Sequence, residues 1–529
     1  MKPRSNHFKR HFFLGASFFA MVFLFFSHNA NAATITWDGS SSTDWATAAN
    51  WVGDAVPTST DDVVINGSYT NAPILNLSAG AVTVNSLSVG SSATSVVTVS
   101  NGDIDTKKLI VTGDVTIGAS GTLTHTANSS AETHRLSLHV GGNMTIVSGG
   151  SISINSKGYT GTSGNGRGPG AGGGGDINQR GSGGGHGGKG ASTTTHAGGT
   201  TYDSITQPAM IGSSGGTCSR AAYGGAGGGA AKIVVGGTLT LEGALTAVGG
   251  NGITDKCSGG GSGGAIWVVA GNLTGAGSIN ANGGTSYNND LTSASGGGGG
   301  RIAIEYTTSS FSGAITAFGK TGYAYGGAGT IYLKQGTNNG DLIVDNNSVA
   351  GADTLQLAGT NFTFDNVTIT KSAKYVIPDT SSLAASVSLS ANSVDATITV
   401  NSGGSMTLPA SQNSLAYFSI ANSGTVNVSQ SNFSISNGTI TNNGTITGIS
   451  NLTLSSVTFY QNGTLTGITD LIVGASSTFE FQNLNASTPF NLSNLTVLSG
   501  GTITHKANSS TETYTLNLNI SGEKTAIPA

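Results

Sequence analysis

Residues 424–447 read GTVNVSQSNFSISNGTITNNGTIT, and this stretch decides the fold of the C-terminal half of the chain. A Gly-(Ser/Thr)-apolar-(Thr/Asn) signature begins at Gly424 and again at Gly444, and between these positions apolar and polar residues alternate, as in FSI at 433–435. Alternation is the period of a half-buried strand. Copies of the signature begin at Gly404, Gly424, Gly444, Gly463 and Gly501, at a nearly constant interval that doubles before the last copy. Short strands at a fixed period of about 20 residues predict the stacked coils of a β-solenoid. Asn at the turns can pair with Asn in the next coil.

The middle of the chain carries a glycine-rich variant of this unit. Glycine-rich tracts end at Gly229, Gly264, Gly300 and Gly329, at intervals longer than the C-terminal period. A short apolar strand follows each tract, at 233–235, 266–269, 302–304 and 331–333. We interpret each unit as a coil with a glycine-rich excursion, and repeated insertions should emerge on one face. Matching interior positions are expected for Ile233, Val268, Ile304 and Leu333. Residues 158–230, which are dense in glycine, should be the least regular part.

The composition supports an all-β chain. Glycine accounts for 84 of 529 residues, while charged residues make up only 9%. Thr, Ser, Val, Ile and Asn are frequent and helix-favouring residues are sparse, which argues against helical bundles and ordinary α/β enzymes. Glycine does not recur at every third position, so collagen is excluded.

Residues 1–32 have the layout of a secretory signal peptide. A basic start (Lys2, Arg4, Lys9, Arg10) precedes an apolar run from Phe12 to Phe26, and Ala30-Asn31-Ala32 forms a cleavage site. The apolar run is shorter than the ~20 residues that span a bilayer. We therefore expect cleavage after Ala32, a secreted or cell-surface location, and no membrane span in the mature chain. The whole chain has a net charge of −4, and loss of the four basic leader residues leaves −8, so the mature chain is not expected to bind nucleic acid.

The expected export determines the redox state that we predict for the two cysteines. Cys218 and Cys257 lie at related places in consecutive glycine-rich repeats. In an oxidising compartment a lone pair of cysteines tends to form a disulfide, so we predict a Cys218–Cys257 bridge over the alternative of two free thiols.

One segment is nearly duplicated. Residues 121–138 match residues 501–518 at a constant offset, including His125/His505 and Glu132/Glu512. The first copy leads into glycine-rich sequence, whereas the chain ends soon after the second, which predicts a fragment of a longer protein that ends in a truncated second copy of the 121–146 segment. The paired His and Glu residues are interpreted as a loop or turn device repeated with the unit.

Residues 33–80 carry a resemblance. They contain Trp37, Trp45, Asn50-Trp51, Pro57 and the run DDVVI at 61–65. This opening resembles that of exported bacterial surface proteins with β-helical passenger regions, and the rest resembles right-handed parallel β-helix proteins of the autotransporter-passenger and pectin-lyase-like kind. The resemblance implies a right-handed parallel β-helix with Gly-rich loop insertions. Trp37, Trp45 and Trp51 then either cap the first coil, which we favour, or stack on carbohydrate.

This interpretation divides the chain into five parts: a signal peptide (1–32), a Trp-rich cap with the first coils (33–80), β-solenoid coils (81–157), a Gly-rich repeat solenoid (158–340), and coils of the shorter C-terminal period (341–529). For β-helix enzymes, the resemblance implies clustered aspartates near a Gly-His-Gly. Gly185-His186-Gly187 is present, but in a tract that is mostly glycine, so we attribute it to chance. We nominate no catalytic pair, metal ligand or cofactor, and expect His125 and His186 to be replaceable at little cost.

The sequence thus predicts a secreted or surface structural protein of the adhesin-like class and favours a non-enzyme, with extracellular glycans or cell-surface matrix as candidate partners. A polysaccharide-cleaving lyase or glycoside hydrolase on the same scaffold, and a carbohydrate-binding module, are the alternatives.

Overall fold

The computed structural model describes residues 32–67, 69–175, 180–218, 223–253, 257–287, 294–392 and 395–526. All but one residue of the predicted signal peptide therefore lies outside the described residues. The described residues form an all-β structure of 40 strands, with a 3₁₀ turn at Ala48–Asn50 and without an α-helix.

The strands are short, as the period of the repeats predicts. Up to the hairpin described below they are β1 Thr34–Thr36, β2 Asp62–Ile65, β3 Ile74–Asn76, β4 Val82–Val84, β5 Ser86–Val89, β6 Ser95–Ser100, β7 Leu109–Val111, β8 Val115–Ile117, β9 Gly121–His125, β10 Leu136–Val140, β11 Met144–Ile146, β12 Ser151–Ser153, β13 Ala230–Leu241, β14 Ala244–Thr246, β15 Ala265–Thr274, β16 Ser278–Asn280, β17 Arg301–Ser309, β18 Ala314–Thr316 and β19 Thr330–Gln335.

The remaining strands follow the hairpin. They are β20 Asp341–Asp345, β21 Thr354–Leu355, β22 Asn361–Thr370, β23 Lys374–Ile377, β24 Ser382–Ser390, β25 Ala396–Val400, β26 Ser405–Thr407, β27 Ser414–Ala416, β28 Phe418–Asn422, β29 Thr425–Asn427, β30 Asn432–Asn442, β31 Thr445–Thr447, β32 Asn451–Gln461, β33 Thr464–Thr466, β34 Asp470–Val473, β35 Thr478–Phe481, β36 Phe490–Leu492, β37 Asn494–Val497, β38 Thr502–His505, β39 Leu518–Ile520 and β40 Lys524–Ala526.

Parallel pairing between successive repeats organises these strands into long sheets. A 19-stranded sheet runs through both halves of the chain, beside a 7-stranded sheet in the N-terminal half and a 12-stranded sheet in the C-terminal half. Because each strand pairs with its equivalent one repeat away, side chains at equivalent positions stack on the same face.

The register predicted from the repeats is confirmed. Ile233 pairs with Val268, Val268 with Ile304, and Ile304 with Leu333. The C-terminal signatures align in the same way, along the column Met406, Val426, Ile446 and Leu465. The first three residues of the earlier column are fully buried and Leu333 packs against the same core.

One strand pair breaks the parallel pattern. Strands β19 and β20 are antiparallel, with Tyr332 opposite Leu342 and Ile331 opposite Ile343. Ile331 belongs to the core of the N-terminal half, whereas Tyr332 and Leu342 belong to the core of the C-terminal half. The hairpin therefore reverses the strand direction and, at the same place, moves the core to the other face of the long sheet.

Candidate functional site

The glycine-rich runs form one hydrogen-bonded body, which we call the glycine lattice: residues 158–175, 180–200, 212–218, 223–229, 247–253, 257–264, 281–287, 294–300 and 317–329. Along 181–185, successive N–H groups donate to run 257–260, then to run 170–173, then to run 188–191, and the cycle repeats after every third position, with N···O distances of 2.8–3.0 Å. Carbonyl groups of the same run accept from 295–298. A cycle of this length is the geometry of an extended, threefold helix of the polyproline II type.

This packing accounts for the glycines. A Cβ atom added at Gly183 would overlap the carbonyl oxygen of Gly296, and one at Gly298 would overlap that of Gly188. Neighbouring runs of the lattice thus approach so closely that only a residue without a side chain fits between them. Residues 158–230 were expected to be the least regular part, and the described residues of 158–229 indeed contain no strand. The lattice runs within this range nevertheless follow a repeating pattern of backbone hydrogen bonds.

A polar cluster is buried at the inner end of the lattice. The Nε2 atom of His186 lies 3.1 Å from Oδ2 of Asp203, and its Nδ1 lies 3.0 Å from the carbonyl oxygen of Gly263. Both ring nitrogens thus face oxygen atoms, one of the Asp203 carboxyl and one of the Gly263 carbonyl group. Arg301 donates from Nε to the Tyr202 carbonyl oxygen (2.8 Å) and from Nη1 to Thr330 Oγ1 (2.9 Å).

Burial and charge act in opposite directions on these groups. Burial alone would raise the pKa of the Asp203 carboxyl, but the hydrogen bond from His186 and the backbone bond from Met210 hold that pKa below its usual value. Burial lowers the pKa of the Arg301 guanidinium and raises that of the Tyr202 hydroxyl. The cluster holds the lattice against strand β17, with His186, Tyr202 and Arg301 buried and the Asp203 side chain nearly so.

The burial of His186 and its two ring contacts argue against the expectation that it is replaceable at little cost. His125 is equally buried. It ends strand β9, and its Nδ1 lies 2.8 Å from the carbonyl oxygen of Thr126; His505 makes the same contact with Lys506 in the second copy. Glu132 accepts from the N–H of Ile211 at 2.6 Å and pairs with Arg135 at 2.8 Å. The Ile211 contact ties the first copy of the duplicated segment to residues outside it, whereas the other contacts lie within the segment.

The outer end of the lattice, which we call the tip, is exposed. The structure joins Cys218 and Cys257 there in a disulfide, with Cα atoms 5.7 Å apart. Nearby backbone bonds link the ends of the runs, from Gly181 to Cys257, Ile253 to Tyr223, Tyr287 to Ser258 and Tyr323 to Ala294. The side chains of Tyr223, Ile253 and Tyr323 are exposed, and the guanidinium of Arg180 lies 4.5 Å from the centre of the Tyr323 ring. The tip thus presents exposed aromatic and aliphatic side chains on a backbone that is cross-linked by a disulfide.

The tryptophans considered for sugar stacking lie elsewhere and are buried. The rings of Trp37 and Trp45 both meet Trp51 edge to face, with centroids 4.9 and 4.7 Å away. Trp37 donates to the carbonyl oxygen of Asn71 and Trp51 to that of Trp45, both at 2.8 Å. Their ring faces are occupied by protein, so this arrangement speaks against carbohydrate contact at Trp37, Trp45 and Trp51.

A second exposed feature is a polar groove of about 680 Å³ on the C-terminal strands. It is lined by exposed or half-buried side chains that include Asn443, Tyr460, Asn462, Glu480, Lys506 and Tyr514. The sequence reasoning missed both this groove and the tip. A signal for the tip was present: Tyr287 and Tyr323 interrupt consecutive glycine-rich tracts at a spacing of one repeat.

Among the residues that the structure describes, no three His, Cys, Asp or Glu side chains gather as a metal-binding group. Over the same ranges, no helix is long and apolar enough to cross a bilayer. No protein-family model matches the chain, and neither a curated protein nor a solved structure matches it significantly.

Proposed function

We propose that the protein is an exported structural protein of the adhesin-like class, and that the tip of the glycine lattice is its contact surface. The observation that carries the proposal is the position of three of its exposed large apolar side chains, Tyr223, Ile253 and Tyr323, at the tip. Exposed apolar and aromatic side chains gathered at one place mark interaction surfaces. The backbone that carries these three side chains is fixed by the lattice and by the disulfide. Binding should therefore cost little further conformational entropy.

The scaffold we propose is a right-handed parallel β-helix, secreted or held at a bacterial cell surface. Parallel pairing one repeat apart supports it, as does the leader at 1–32. At the β19–β20 hairpin, a reversal of strand direction alone would invert the winding hand. The simultaneous change of core face restores it, so both halves can wind with the same hand. Small-angle scattering should give an elongated particle, and a compact sphere would contradict this scaffold.

The adhesive role is tested with the leaderless chain on beads, applied to immobilised extracellular glycans and to cell-surface matrix. The triple variant Tyr223→Ser/Ile253→Ser/Tyr323→Ser should lose most of the retention seen with the parent chain. A matched control, Val387→Ser/Tyr417→Ser, removes exposed apolar side chains away from the tip and should be retained normally. Equal retention of the triple variant and the parent would contradict a contact surface at the tip.

A further inference from the structure

The polar groove on the C-terminal strands is built from stacked columns of side chains. On one wall Thr441, Tyr460 and Glu480 are direct partners in neighbouring strands, so their side chains stack on the outward face. Beside them Asn462 donates from Nδ2 to Oδ1 of Asn443 at 3.1 Å. Each step of a column advances by the strand spacing of ~4.8 Å. The wall therefore offers a polar group at every step along the stacking axis.

A loop of the second duplicated segment forms the opposite wall. Asn508 accepts the N–H groups of Thr513 (2.7 Å) and Tyr514 (2.6 Å) and donates to the Tyr514 carbonyl oxygen (2.8 Å). In the first copy, Asn128 makes the equivalent three bonds to Thr133 and His134. The loop is thus a fixed shape used twice, and it places Tyr514 in the groove where the first copy carries His134.

The charges of the groove offset one another. Among its lining residues, Glu480 is the acid and Lys506 the base. Gln482 donates to Oε1 of Glu480 at 2.6 Å, and the Lys506 ammonium lies 5.4 Å from the centre of the Tyr514 ring. Both charged groups therefore have partners within the protein. A ligand with many charges of one sign would find no complementary surface here.

We infer that this groove binds an extended, uncharged polysaccharide chain laid along the stacking axis. Hydroxyl groups of the sugar would exchange hydrogen bonds with the Asn443 and Asn462 amides, and the apolar ring faces would pack on Tyr460 and Tyr514. The step of the columns is similar to the length of one pyranose unit in an extended chain, so successive sugars would meet equivalent groups. The inference is independent of the tip and holds whether or not the tip contacts a surface.

The test is isothermal titration of the leaderless chain with cellohexaose and with chitohexaose, beside glucose and a galacturonate hexamer. At least one neutral hexamer should bind, and glucose and the charged hexamer should bind much more weakly. Tyr460→Ala and Tyr514→Ala should each weaken hexamer binding about tenfold, equivalent to about 1.4 kcal/mol. Tyr460→Phe keeps the ring and should bind within about twofold of the parent.

Two controls separate this site from the tip and from unfolding. Tyr417→Ala and the triple tip variant should bind the hexamer as the parent does, and all variants should melt at the parent temperature because the altered side chains face outward. The inference is overturned if neither neutral hexamer binds, if the galacturonate hexamer binds more tightly than both, or if Tyr460→Ala and Tyr514→Ala bind like the parent.

Discussion

His125 illustrates how a single buried side chain couples folding to pH. The ring is fully buried, and its Nε2 atom has no hydrogen-bond partner among the described residues. Burial, assisted by the nearby charge of Lys157, lowers the pKa of His125 to about 4 from its usual 6.5. In the unfolded chain the ring takes up a proton near pH 6.5, whereas in the folded chain it resists protonation down to about pH 4. The contribution of the neutral, buried His125 to the free energy of unfolding is therefore complete above pH 6.5 and declines as the pH falls toward 4.

We expect His125 to account for a loss of about 3 kcal/mol in the free energy of unfolding between pH 7 and pH 4. Urea titrations at a series of pH values measure this loss. His125→Gln should be less stable than the parent at pH 7 but should show a shallower pH dependence. His505→Gln, at the equivalent and more exposed position, should keep the parent slope. An unchanged slope in His125→Gln would show that other groups dominate.

The sequence revealed the residues of the site unevenly. The Cys218–Cys257 bridge was predictable because the chain's two cysteines lie at related places in consecutive repeats. The roles of His186 and Arg301 were not, because their partners Gly263 and Tyr202 come from distant segments that only the folded lattice brings together. Nothing in a run of glycines distinguishes a histidine that makes buried polar contacts from one that points to solvent.

At the scale of the element, the lattice depends on glycine at defined positions. We expect Gly183→Ala to destabilise the protein by about 3 kcal/mol, because the new methyl group meets backbone that cannot move aside. Gly113→Ala is the matched control: its Cβ would lie 3.0 Å from the nearest atom, the Asn85 carbonyl oxygen, and the cost should stay below about 1 kcal/mol. Urea denaturation compares the two, and equal midpoints would show that the lattice tolerates side chains.

A ladder of buried amides runs between successive C-terminal strands. Asn422 donates to Oδ1 of Asn442 at 2.8 Å, and Asn442 donates to Oε1 of Gln461 at 3.1 Å. All three side chains are buried. The pairing of Asn residues in successive coils, expected from the sequence, is thus present here, as a continuous chain of hydrogen bonds through β28, β30 and β32.

Asn442→Ala should cost about 2–3 kcal/mol, because it leaves buried polar groups of Asn422 and Gln461 without their partner. The neighbouring Asn443 is exposed, so Asn443→Ala should change stability by less than about 0.5 kcal/mol. The midpoints of urea unfolding measure both effects. Similar midpoints for the two variants would mean that water replaces the lost partner inside the ladder.

The elements differ in how far the sequence determines them. Strand positions and register were predictable because apolar residues recur with the repeat and leave one alignment that buries them all. The lattice was not predictable, because glycine has no side chain to give an apolar pattern. The hydrogen-bond partners of each glycine-rich run are set by the other runs packed around it. The antiparallel turn between β19 and β20 was also missed, because its residues 336–340 interrupt one repeat without altering the apolar pattern on either side.

At the scale of the whole molecule, two cores are joined through several contacts. The β19–β20 pair is one, and residues 201–211, which we call the strap, are another. Within the strap, Thr201 donates to the Leu355 carbonyl oxygen at 3.1 Å, and Ile205 packs into the C-terminal core. At its other end, Ile211 donates to Glu132 of the N-terminal half. Each core, by contrast, is continuous through many stacked strands.

Because stacked repeats interact mainly with their neighbours, long arrays lose cooperativity. We therefore expect calorimetry of the leaderless chain to show two thermal transitions, one for each core. Cys218→Ser/Cys257→Ser should lower the midpoint temperature of only the transition that includes the lattice. The cysteines are 39 residues apart, and closing a loop of that length contributes about 4 kcal/mol to the free energy of unfolding. Ile446→Ala removes buried volume from the C-terminal core, at a cost of about 2–5 kcal/mol in the free energy of unfolding. It should lower the midpoint temperature of the other transition only. A single transition shifted by both changes would mean that the hairpin and the strap couple the two cores into one cooperative unit.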